Sequence, residues 1–307
     1  MIVNNNNIIL KLAFIGIPVS ILVTSLKFLA WYLTGFVSLL SDSLESIINI
    51  ATALITYFTI RYAQQPADNN HPFGHQKAEY IAAVVEGILI IAIAFMILQE
   101  VWFNTVKTSI SETPIIGLTI TIFASVINFF WGYFLIKTGK EKRSPALQAD
   151  GQHINSDVLT SISIVFGLII VMVTGYTIVD PIIATMVAIH ICYQGCKLVY
   201  DSIKGLMDSA VDPELEEKIR KTIAAHAIGS LGVHDLKTRQ AGALFFVDFH
   251  LVVRSDMTVA NAHKICDRLE KAIENSTPGA MIAIHIEPES EKAHGINVAL
   301  PKVLDHA

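Results

Sequence analysis

Charge is what this sequence lacks. Only 16% of its 307 residues are Asp, Glu, Lys or Arg, against about 25% in a soluble globular chain, while 52% are hydrophobic and the mean hydropathy is +0.53. A deficit that wide excludes an ordinary water-soluble fold and points to a lipid bilayer, the solvent that tolerates exposed apolar surface. A basic surface is missing too: with a net charge of -5 and an isoelectric point near 6.1, nucleic acid is excluded as the main partner. Cysteine is scarce, three residues with Cys192 and Cys196 in apolar surroundings, so there is no disulfide framework. No HExxH string occurs, which counts against an intramembrane metalloenzyme.

What is present is a series of long apolar runs. Crossing about 30 Å of hydrocarbon takes about 20 apolar residues in a helix, and six such runs precede residue 210, at about 8–34, 37–62, 77–104, 113–137, 147–175 and 178–207. The first is too long for a signal peptide and lacks a small-residue cleavage site, so it reads as a retained span. Lys137, Lys140, Lys142 and Arg143 crowd one connection, and Arg61 and Lys77 flank another, while the alternate connections hold just Lys107. Because Lys and Arg concentrate in short cytoplasmic loops, both termini are expected in the cytoplasm, with the chain in the cytoplasmic (inner) membrane.

After Asp208 charge returns and no run could span. Asp212-Pro213-Glu214 is a helix start with Asp as cap and Pro in the first turn, strands are predicted at 233–239, 244–253 and 281–287, and a second helix at 258–275. The expectation is a transmembrane domain of six helices over 1–207, a cytoplasmic α-β-β-α-β domain over 208–290 and a flexible tail over 291–307.

Ionisable side chains at membrane depth cost at least about 2.5–3.5 kcal/mol on insertion scales and mark function by default. Span two carries Asp42, Glu45 and Asn49, spaced three and four apart and therefore on one helical face. Span five repeats the spacing with Asp150, His153 and Asp157. Brought together at one depth, Glu45, Asn49, His153 and Asp157 supply the oxygen and imidazole donors of a tetrahedral divalent-metal site. Asp42 and Asp150, one turn earlier, either orient ligands, lie in the access path or are merely solvated near the membrane boundaries. Since protons compete with metal for imidazole and carboxylate, such a site is an antiporter in outline. Glu86 in span three asks for a partner, an interhelical hydrogen bond or salt bridge. His190 with Cys192 and Cys196 reads first as packing.

With HINSD in span five, QPADNNHPFGHQKAE after span two and HDLKTRQAG opening the soluble domain, the chain resembles the cation diffusion facilitator family of divalent-metal/proton antiporters over nearly its whole length. The resemblance implies a homodimer with a metallochaperone-like, ferredoxin-like C-terminal domain, exporting metal from the cytoplasm. It maps the transport site to Glu45, Asn49, His153 and Asp157, with a departure: the family pair in span two is His or Asp followed by Asp, whereas Glu45 and Asn49 stand here. Oxygen-rich ligation drifts toward harder metals, so zinc comes first by family frequency and iron, manganese, cobalt and cadmium stay open.

The same resemblance implies a loop site at Asp68, His71 and His75, which either helps deliver metal or braces the loop. A cytoplasmic two-metal site is implied at His234, His250, His263, His285 and Glu287. Lys77 and Asp208 match an interlock across the dimer interface, or are ordinary boundary charges. His226, His294 and His306 match nothing. The expected function is proton-coupled efflux of a divalent transition metal across the bilayer, with metal as substrate and regulatory ligand, no organic cofactor and no enzymatic activity. A metal sensor or scaffold that does not transport is the alternative, kept open by Asn49.

Overall fold

The structure, a computed structural model, describes residues 2–34, 37–103, 114–174, 179–291, 295 and 298. Two compact units divide the chain, Met1–Ile203 and Lys204–Ala307.

In the first unit, helices α1 (Ile2–Thr34), α2 (Val37–Ala63), α3 (Ala78–Phe103), α4 (Pro114–Lys142), α5 (Pro145–Thr174) and α6 (Val179–Leu206) occupy the six apolar runs. The bundle is inverted relative to a soluble one: Phe129, Phe130 and Tyr133 point outward while Asn128, on the same helix, is buried. Among the described residues, three stretches are long and apolar enough by themselves to cross a membrane, Ile8–Leu33, Ala78–Gln99 and Ile115–Lys142. The polar residues of α2 and α5, Asp42, Asn49, Asp150, His153 and Asp157, are all buried in the bundle, away from lipid.

Small residues set how closely the helices pack, as expected where lipid supplies no hydrophobic drive between them. A Cβ on Gly132 of α4 would lie 3.1 Å from the Gly151 carbonyl oxygen of α5, and one on Gly151 would lie 2.9 Å from that of Gly132. Gly87 of α3 and Gly195 of α6 make the same backbone contact, at 3.2 and 3.0 Å. Gly151→Val is therefore expected to force α4 from α5 and lower stability by about 1–3 kcal/mol, the usual cost of overpacking. Thermal unfolding in detergent measures it, and an unchanged transition would contradict the packing.

The second unit orders α7 (Pro213–His226), β1 (Gly232–Ala241), β2 (Leu244–Val253), α8 (Val259–Ser276) and β3 (Ala280–Pro288) as the α-β-β-α-β pattern. β2 is central, antiparallel to β1 and parallel to β3, with α8 as the crossover that a parallel pair needs. Period-two alternation puts Phe245, Val247, Phe249, Leu251 and Val253 of β2 on one face, all buried with Ile219 and Ile223 of α7 and Ile265, Leu269 and Ile273 of α8. The even-numbered residues of β2 are left for the opposite face.

Two details differ from expectation. Asp212 stands at the α7 cap position but makes no side-chain cap bond, so Pro213 at the first turn sets the start, whereas Thr258 does cap α8 by accepting from the Asn261 N–H. The tail is tied at one point: Val298 is buried and its N–H donates to the Val233 carbonyl at 2.9 Å.

Candidate metal centres

The membrane centre begins with how α5 is launched. Ser144 precedes Pro145, and its hydroxyl accepts from the Leu147 N–H while donating to the Glu79 carboxylate of α3. Cap and proline together fix the helix start, from which Asp150, His153 and Asp157 follow on one inward face, each no more than 3% exposed.

Asp157 is the most engaged of them. The Lys27 ammonium of α1 donates to its two oxygens at 3.0 and 2.8 Å, and Asn128 of α4 donates to Oδ2 at 2.8 Å. Lys27 also donates to Asp42 Oδ1 at 2.9 Å, an oxygen that accepts from Ser161 of α5 at 2.9 Å as well. Asp42 thus belongs with Asp157, at one end of the polar stripe. Asp150 begins the stripe of α5 two turns before Asp157, buried, with Oδ1 unpartnered among the described residues. Glu86 finds the hydrogen-bond partner it asked for in Thr56, at 2.7 Å.

Along the same stripes, both ring nitrogens of His153 and the carbonyl Oδ1 of Asn49 are buried without a hydrogen-bond partner among the described residues. Each such atom costs about 1–3 kcal/mol when left unsatisfied, a cost that a cation seated among the groups would relieve at the imidazole and the carbonyl. Glu45 lies on α2 between Asp42 and Asn49, and its side chain is outside the described residues.

The structure therefore joins Asp157 to a lysine rather than to a closed metal shell. Sequence reasoning had not singled out Lys27. Its signal was a solitary Lys within 12–34, an otherwise apolar stretch.

In the loop after α2 the ligand atoms of Asp68, His71 and His75 lie within 4.8 Å of one another. Asp68 Oδ1 accepts from the N–H groups of Asn70 and His71 at 2.9 and 2.6 Å, and the turn closes at Gly74, whose φ of +87° suits glycine. The His71 N–H holds the Asp68 carboxyl below the usual carboxylate range, so it stays ionised. His75 Nε2 is 3.5 Å from Asp68 Oδ2, and its ring packs edge-on against Tyr62. Asp68→Asn is expected to weaken metal binding at the loop by about 10–100-fold. Zinc titration of the full chain reads this, and unchanged affinity would mean that the turn is only a brace.

In the soluble unit, sheet register assembles the third centre. His234 of β1 pairs with His250 of β2, which pairs with His285 of β3, and Glu287 follows two residues on. Paired residues share a face, so the three imidazoles form a row on the side away from the helices. Glu287 bridges them, with Oε2 2.9 Å from His234 Nε2 and Oε1 2.8 Å from His250 Nδ1. His234, His250 and Glu287 bring their ligand atoms within 4.8 Å of one another.

His285 stands at the rim, 68% exposed and 3.7 Å from Glu287, while His263 lies on α8 and pairs with Asp267 at 3.6 Å. His263 is thus not among the residues the sheet brings together, whereas Asp235, which the sequence did not point to, reaches the row at His250. At the β1 bulge Asp235 takes φ 52°, and its carboxylate lies 3.7 Å from His250 Nε2. Asp208 pairs with Arg239 at 3.1 Å. In α6, His190 bonds Gln194 at 2.8 Å.

A family profile described as the cation efflux transmembrane domain matches residues 13–207, and one described as the cation efflux protein cytoplasmic domain matches residues 211–289. The uncharacterized transporter sll1263 of Synechocystis sp. is 34% identical, covering 90% of this chain and 89% of that protein. The cation-efflux pump FieF of Pectobacterium atrosepticum is 32% identical, covering 89% of this chain and 90% of that one. A solved structure of CzrB in its Zn form is 46% identical and covers 28% of this chain and 99% of that chain, with a TM-score of 0.27. Both domains and nearly the full length agree: the chain is a membrane protein that belongs to the cation diffusion facilitator family of cation-efflux proteins.

Proposed function

We propose that the chain exports a divalent transition metal, zinc first, from the cytoplasm in exchange for protons, working as a homodimer in the cytoplasmic membrane with both termini in the cytoplasm. The observation that carries this reading is that His153 and Asn49, without hydrogen-bond partners among the described residues, are buried together with the carboxylate of Asp157 on two helices, α2 and α5, that pack against each other. Imidazole with carboxylate and carbonyl oxygen suits a borderline dication such as zinc, and oxygen-rich ligation leaves manganese and iron as competitors. Metal binds between α2 and α5 from the cytoplasm, the bundle rocks, and protons arriving from outside displace it, because protonated imidazole and carboxyl lose their affinity for metal.

His234, His250 and Glu287 act as a cytoplasmic sensor. Metal there favours one geometry of the dimer to the extent that it binds that geometry more tightly. One observation favours a second reading, a sensor that does not transport: Lys27 neutralises Asp157, the carboxylate that transport needs. Flux of zinc, manganese, iron(II), cobalt and cadmium into proteoliposomes separates the two. Gradient-dependent flux supports transport, and metal bound without flux supports the sensor.

A further inference from the structure

This inference rests on the transport reading and concerns a residue that reading leaves without a task. Lys27 is 1% exposed and its ammonium is surrounded by carboxylate oxygens: both of Asp157 and Oδ1 of Asp42. A buried ammonium is stable only with such partners, so in this state Lys27 is a cation occupying the carboxylate that a transported dication would use. The two cannot hold Asp157 together, since they repel strongly in a low-dielectric interior.

Asp42 offers the ammonium somewhere to go. Its Oδ1 is shared by Lys27 and Ser161, whereas its Oδ2 is buried with no hydrogen-bond partner among the described residues. Both carboxylates are already within 3.0 Å of Nζ, and the flexible four-carbon stem of lysine lets its point charge shift between them without moving backbone. We propose that Lys27 is a tethered internal cation that competes with the transported metal for Asp157, and that Asp42 is the carboxylate to which its ammonium withdraws when metal binds.

Asp42 and Asp157 against Lys27 leave one negative charge, so the ammonium cancels half of the charge that the two carboxylates would otherwise present to a dication. Lys27 thereby keeps the metal-free bundle from holding bare carboxylates. Its return to Asp157 helps expel the metal, so the resting affinity is held below what the ligands alone would give.

The test is zinc titration of the full chain in detergent, following the binding event that Asp157→Ala removes. Lys27→Gln is expected to tighten that event by about tenfold or more, in the range measured for close buried charge pairs. Asp42→Asn is expected to weaken it by a similar factor, since Lys27 then has only Asp157. The opposite signs are diagnostic, because a purely structural role for Lys27 would weaken binding in both variants.

Should Lys27→Gln not fold, the double variant Lys27→Gln/Asp42→Asn removes one charge of each sign and is expected to bind zinc more tightly than wild type. Unchanged or weaker binding in whichever of these is folded overturns the proposal while leaving the transport site intact. If Asp157→Ala removes no binding event, the transport site itself is refuted and the role of Lys27 with it.

Discussion

Asp157→Ala is expected to reduce metal flux in proteoliposomes by at least about 100-fold. That exceeds the cost of losing a supporting contact around a metal, about 10–100-fold, because Asp157 is the carboxylate on which α1, α4 and α5 converge through Lys27 and Asn128. Folding should survive the change, since Asp42 continues to hold the Lys27 ammonium at 2.9 Å. His285→Ala is the matched comparison. His285 is 68% exposed at the rim of the soluble centre, so its loss should alter only how flux depends on metal concentration. Equal and complete loss in both variants, with normal insertion, would contradict this division between a transport centre and a sensing centre.

Glu287→Ala carries the second large effect, in the soluble unit. Glu287 hydrogen-bonds His234 at 2.9 Å and lies 2.8 Å from His250 with its other oxygen, so one substitution removes the oxygen ligand and a hydrogen bond that orients the His234 ring. Zinc affinity of the binding event that Asp157→Ala spares is expected to fall by about 10–100-fold. Without metal, the buried His234 ring loses its partner, at a cost of about 1–3 kcal/mol. Titration of the full chain together with its thermal unfolding measures both, and unchanged zinc affinity would remove Glu287 from the site.

How much of this was legible in the sequence depends on how local the relevant geometry is. Asp68, His71 and His75 lie within one loop, so a set implied by the family resemblance needed no long-range contact to come together. The elements of the soluble unit followed from alternation and turn residues, and the row of His234, His250 and His285 needed in addition the strand register, which only the folded sheet supplies. Asp235 was hidden because strict alternation would turn the neighbour of His234 to the other face, and a bulge overrides that rule. Asp42 and Asp150 were grouped together in sequence as residues one turn before the proposed ligands. The structure sends Asp42 to Lys27 and Ser161, whereas Asp150 is buried two turns before Asp157 with Oδ1 unpartnered among the described residues.

Lys27 was the most consequential omission. The cost of burying charge applies to an ammonium in an apolar span as it does to a carboxylate or an imidazole. A lone Lys in α1 demanded an anionic partner on another helix, and Asp42 and Asp157 were the candidates already in view.

The central claim is that metal and protons exchange through the bundle. The most direct measurement loads proteoliposomes with a pH-sensitive dye, adds zinc outside, and records zinc uptake and luminal pH together, for wild type and Asp157→Ala. Exchange requires the luminal pH to rise as zinc enters, with both signals lost in Asp157→Ala. Zinc uptake without proton movement, or a pH signal that persists in Asp157→Ala, would contradict it.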